Sequence, residues 1–184
     1  MAVLAIDLTW PDVTTVEGLP YERWMVAARW EQMIVEKVEG FGGVLLPHAP
    51  SMLLFAFGLP QTMEQVPQRA VHAALALQEL AGDESPLAEE GTRPVLRLGL
   101  HWGPVLMAIQ ARDTSLRVLA VGDTLAMPVR LSGQAAPGEM LTSATMGRVV
   151  ESWCALQPWA GIVGPGRDEH FGISAIVSAH SGVE

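Results

Sequence analysis

Asp7 is the first residue of this chain whose type and position suit chemistry. It is a carboxylate at the end of the apolar run Val3 to Leu8, able to hold a divalent cation or simply to close a strand. Ser51 follows His48 by three residues, which invites a nucleophile reading. No acid lies at a spacing that would orient the imidazole, however, and a histidine in a turn is ordinarily solvated. Arg130 suits a phosphate, an interface or a plain surface ion pair. Cys154 is the only cysteine, which excludes an intrachain disulfide and a multi-cysteine metal site and leaves a small buried hydrophobe. Gly40-Phe41-Gly42-Gly43 lacks the Lys-Ser/Thr ending of a phosphate loop and reads as a helix stop. Trp24 and Trp30 read as core or dimer-interface anchors rather than ligand-stacking groups.

The elements that must position these residues belong to one domain of 184 residues, 49% apolar and 17% charged. A mean hydropathy of +0.28 hints at an apolar surface that wants a partner. Net charge is -9, with few and scattered Lys and Arg, so nucleic acid is not an expected partner. The apolar start lacks a basic flank and reads as a strand, not a signal peptide. The longest apolar run, Met52 to Pro60, is too short to span a bilayer, so neither a membrane partner nor a location other than the cytoplasm is expected.

Val3 to Leu8 predicts a central strand. Trp24, Ala27, Trp30, Ile34 and Val38 then recur every three or four residues, an amphipathic helix stopped at Gly40. Val44 to Leu46 and Met52 to Phe57 predict a hairpin around Pro47-His48-Ala49-Pro50. Pro67 suits the first turn of a second helix that buries Ala70, Ala73, Ala74, Leu77 and Leu80. Residues 82–94 read as a surface loop. Strands follow at Val95 to Leu100, Val105 to Ile109 and Arg117 to Val121, and Gly122-Asp123-Thr124 opens a helix carrying Leu125, Val129 and Leu131. Met140 to Thr142 is a short strand, Ser143 caps a helix around Met146 to Val150, and the last strands fall near Cys154 to Gln157 and His170 to Val177. The order is β-α-β-β-α-β with additions: an α+β, ferredoxin-like βαββαβ core with additional strands and helices.

Four stretches, in order and spacing, resemble the catalytic domains of class III adenylate/guanylate cyclases. They are Leu4-Ala5-Ile6-Asp7-Leu8; Ala56-Phe57-Gly58-Leu59-Pro60 with Gln68 to Leu77; Leu98-Gly99-Leu100-His101-Trp102-Gly103-Pro104-Val105; and Val121-Gly122-Asp123-Thr124 through Val129-Arg130-Leu131 to Ala136-Pro137-Gly138-Glu139. The resemblance implies the class III nucleotide cyclase fold over residues 1–160. Residues 161–184 would form a C-terminal strand and tail that approaches a linker, the chain being a piece of a larger multidomain signalling ATPase.

The resemblance also implies a dimer with active sites at its interface. Two aspartates there hold two divalent metals, a lysine and a small polar residue read the base, an asparagine orients the ribose, and an arginine supports transition-state charge. Laid onto this chain, the metal positions fall at Asp7 and Ser51, the base-reading positions at Pro47 and Leu119, the ribose position at Ala126 and the arginine at Arg130. Asp7 and Arg130 alone keep their residue types. A hydroxyl does not replace a carboxylate toward a hard cation, and one lost transition-state donor costs about 10²–10³ in rate.

The expected function is therefore a catalytically degenerate cyclase-homology domain, acting as a dimerisation or regulatory module in signalling. No cofactor is expected, with Mg or Mn the cation if activity remains. A homodimeric or heterodimeric partner is expected through the cyclase-type interface, and a nucleoside triphosphate is the candidate ligand. The alternatives are a working cyclase with an atypical metal site, converting ATP or GTP to the cyclic nucleotide, and a nucleotide or small-molecule sensor.

Overall fold

The protein's structure, a computed structural model, describes residues 1–10, 20–47, 52–59, 63–82, 93–112, 115–121, 123–159 and 174–179. Strand β1 (Ala2–Thr9) lies in the middle of a seven-stranded sheet, between β3 (Met52–Phe57) and β4 (Val95–Trp102), both antiparallel to it. The order is β2-β3-β1-β4-β7-β9-β8, where β2 is Gly43–Leu46, β7 Met140–Thr142, β8 Cys154–Pro158 and β9 Ser174–Ala179. Its first four strands are the ferredoxin-like arrangement expected from the β-α-β-β-α-β order. The β4–β7 pairing is parallel and extends that core.

β1 is apolar on both sides because both faces are covered. Ala2, Leu4 and Ile6 join the large core with Ile34 and Val38 of α1 (Pro20–Gly40), Ala70, Ala73, Ala74 and Leu77 of α2 (Val66–Ala81), and Met146 and Val150 of α4 (Ala144–Val150). Val3 and Ala5 face the other way and pack with Leu125 and Val129 of α3 (Asp123–Gln134). Gly99 permits that layer. A Cβ there would run into the Pro128 carbonyl and come within 2.6 Å of the Ser132 nitrogen.

Several boundaries and faces differ from expectation. Trp30, Ile34 and Val38 are buried as the periodicity predicts, yet Trp24 is 63% exposed and stacks on the exposed Tyr21 at 6.3 Å. Periodicity marks a helix face but not where the layer beneath it ends. Leu80 is half-buried rather than fully covered, at the last turn of α2. The last described strand is Ser174–Ala179, which overlaps the expected 170–177 and runs two residues past it, and it inserts between β7 and β8, so this part of the tail belongs to the same sheet as β1. The expected turn at His48 to Pro50, most of the loop 82–94 and residues 161–173 lie outside the described residues.

β5 (Leu106–Arg112) and β6 (Ser115–Val121) form a separate two-stranded ribbon between β4 and α3. Among the described residues, no helix is long and apolar enough to cross a membrane.

Candidate functional site

Asp7 occupies the α3 side of β1, two residues beyond Ala5. Its cross-strand neighbours are Met52 on β3 and Arg97 on β4. Arg97 Nη1 lies 3.4 Å from Asp7 Oδ2 and donates to Thr9 Oγ1 at 3.0 Å. Both side chains of the pair are about a quarter exposed, at 23% for Asp7 and 29% for Arg97, so the pair borders solvent rather than the core. Arg97 was not among the sequence candidates. Its pairing depends on register between strands 90 residues apart, which composition and spacing do not carry.

Ser51, where the resemblance puts the second metal position, lies outside the described residues and immediately precedes Met52. Pro47 is exposed just after β2. Ala126 is half-buried on α3, and Arg130, one helical turn later on the same side, is exposed. Leu119 falls in the β5–β6 ribbon, opposite Ala108. The sheet thus brings Asp7 beside Met52 and Arg97, α3 carries Ala126 and Arg130 together, and Leu119 stands on a different sheet.

A two-metal centre of the kind the resemblance implies needs two carboxylates held together. Asp7 instead lies between Met52 and Arg97 on the neighbouring strands, and Ser51, the other metal position that the resemblance implies, offers a neutral hydroxyl. Among the described residues, no group of three or more His, Cys, Asp or Glu side chains is placed to hold a metal. This donor set does not fit the pair of divalent ions. A cation arriving at Asp7 would have to share the carboxylate with Arg97.

A second polar cluster, also missed in the sequence, sits at the far end of β4. His101 Nδ1 lies 2.7 Å from the Ser143 hydroxyl, which is 3.0 Å from Thr145 Oγ1, and Thr145 donates to the Trp102 carbonyl at 2.9 Å. Ser143 is the N-cap of α4, as expected, and accepts the Met146 N–H at 3.4 Å. Burial lowers the His101 pKa, and the Met1 ammonium lowers it further against a smaller opposing pull from Asp123. Cys154 is buried, and burial pushes its thiol up to about 11, in keeping with an inert core cysteine.

No protein-family model matches the sequence, and no curated protein sequence does so. Solved structures match over almost the whole chain. The adenylyl cyclase CyaB from P. aeruginosa aligns with a TM-score of 0.83 at 15% identity, covering 100% of this chain and 96% of that one. The guanylate cyclase domain of RhGC from Catenaria anguillulae, solved in complex with GTP, aligns at 0.78 and 20%, covering 98% and 96%. A dimeric guanylyl cyclase domain of the RhoGC fusion protein from the aquatic fungus Blastocladiella emersonii aligns at 0.78 and 17%, covering 97% and 93%. The chain therefore has the fold of the catalytic domains of adenylyl and guanylyl cyclases.

Proposed function

We propose that this chain is a cyclase-homology domain whose nucleotide-cyclising site is degenerate and whose role is to assemble with a second such domain and regulate signalling. The observation that carries the first half is the setting of Asp7, flanked by Arg97 and Met52 instead of a second acid. Pro47, Leu119 and Ala126 supply no polar side chain where the resemblance needs donors to the base and ribose. Several such losses together leave little rate, even though they do not add.

Assembly is supported by the β5–β6 ribbon. Its hydrogen bonds run between its own two strands, and a lone two-stranded ribbon is marginal in water. Its backbone register runs from Leu106 opposite Val121 to Arg112 opposite Ser115. A similar fold has been solved as a dimer.

The test is a cyclase assay at high protein concentration with ATP or GTP and Mn²⁺, run beside sedimentation equilibrium. The expected result is no cyclic nucleotide above the blank, together with self-association or pairing with a related domain. Product that disappears in Asp7→Ala would establish the atypical active cyclase instead. Nucleotide binding without product would favour the sensor reading.

A further inference from the structure

His101 Nε2 faces the turn from which the β5–β6 ribbon departs. The chain leaves β4 through Gly103-Pro104 and returns at Asp123-Thr124, where α3 begins. A Cβ built on Gly103 would lie 2.7 Å from His101 Nε2 and 2.9 Å from Thr124 Oγ1, so the first residue of the exit turn is wedged between them. Thr124 Oγ1 donates to the Pro104 carbonyl and ties the two ends of the ribbon together. Met1 holds the same turn from β1. Its ammonium donates to the Gly103 carbonyl at 3.1 Å, and its carbonyl accepts the Gly103 N–H at 3.1 Å.

Counting protons fixes the state of the imidazole. The Trp102 carbonyl can only accept, so the single hydroxyl proton of Thr145 is spent on it. Ser143 must then donate to Thr145, which spends the single proton of Ser143. His101 Nδ1 must therefore carry a hydrogen and donate to Ser143, which also accepts the Met146 N–H. The result is a one-way chain from His101 through Ser143 and Thr145 to Trp102. Neutral His101 holds its proton on Nδ1 and presents a bare Nε2 to Gly103.

We propose that His101 is a proton-responsive latch, closed when neutral with its proton on Nδ1, and that protonation at Nε2 loosens the root of the β5–β6 ribbon. Charge on the ring is resisted by burial, His101 being 9% exposed, and by the Met1 ammonium at the end of β1. Asp123, at the start of α3, opposes this in part, while β7 and α4 contribute only the Ser143 and Thr145 hydroxyls. The closed state therefore takes up a proton less readily than free histidine. As pH falls below about 6.5, the ordinary value, the open state gains, by at most about tenfold per pH unit for a single proton.

The experiment reads one protomer and does not depend on dimerisation. Hydrogen exchange at Trp102, Gly103 and Thr124, corrected for intrinsic rates, is compared between pH 7.5 and pH 5.5 with exchange in β1. The expected result is a several-fold loss of protection at the ribbon root with β1 unchanged. His101→Asn, whose amide can still donate to Ser143 but does not titrate, should be flat over the same range. Unchanged protection in the wild type, or the same loss in the variant, overturns the latch. Should the variant not fold, ¹⁵N spectra of the wild-type imidazole decide the matter: protonation on Nδ1 at pH 7.5 supports the latch, and on Nε2 overturns it.

Discussion

The carboxylate of Asp7 and the guanidinium of Arg97 face each other across two paired strands at 3.4 Å. The acid at the metal position that the resemblance implies thus has a positive side chain beside it from the adjacent strand. That relationship bears on function more than on stability. Both groups border solvent, where an ion pair contributes about 0–1 kcal/mol.

Asp7→Asn should therefore lower unfolding stability by less than about 1 kcal/mol, an effect that shrinks further in 1 M salt. Urea denaturation at two salt concentrations checks this. Arg97→Ala should be similarly mild, since Thr9 loses only one exposed hydrogen bond.

Gly99→Ala should be far more damaging than its single methyl suggests. The new Cβ meets the backbone of α3 at Pro128 and Ser132, which cannot rotate aside as a side chain can. Overpacking of this kind costs about 1–3 kcal/mol, and a shift of α3 away from β4 would also move Arg130. Thermal unfolding reports the first effect and exchange at α3 amides the second.

Phe55→Ala should cost about 3–5 kcal/mol, because Phe55 is fully buried at the centre of the sheet's helix-covered face. Loss of that much in a domain of ordinary stability leaves a substantial unfolded fraction. Circular dichroism during guanidinium titration is the measurement.

Cys154 should resist alkylation. With its thiol pushed up to about 11 and buried, iodoacetamide at pH 8 should label the folded protein slowly and the urea-unfolded protein quickly. The sign for stability follows from the same shift. The contribution of the neutral thiol is intact below the unfolded value near 9 and is lost as pH rises toward 11. Mass spectrometry of labelled protein and denaturation at pH 7, 9 and 11 test both halves.

Ser143→Ala removes a helix cap and the acceptor of His101 together. Cap loss alone costs about 0.5–2 kcal/mol, and leaving the buried Nδ1–H only its longer contact with Thr145 Oγ1 at 3.4 Å adds about 1 kcal/mol. A double-mutant cycle with His101→Asn should show coupling between the two positions, measured by chemical denaturation.

Much of the fold was legible because its signals are local. The period of Trp30, Ile34 and Val38, the alternation and length of the apolar runs, Pro67 in a first turn and Ser143 before a helix each act within a few residues. The candidate site was legible only as a set of positions. Asp7 could be placed at a strand end, but nothing near it in sequence announces Arg97 or Met52. Trp24 kept the helical period and still lies in solvent, since exposure depends on what sits beneath a helix.

By itself, then, the sequence determined the element order, the α+β core and the apolar residue types at Pro47, Leu119 and Ala126, because these reside in residue types and short-range periodicity. The tertiary structure alone decided which groups meet. It set Arg97 against Asp7, stood the β5–β6 ribbon apart from the sheet, inserted the tail strand between β7 and β8, and joined His101 to Ser143. Each of these depends on strand register and layer packing, which are set by the balance of burial over the whole domain and not by any one segment.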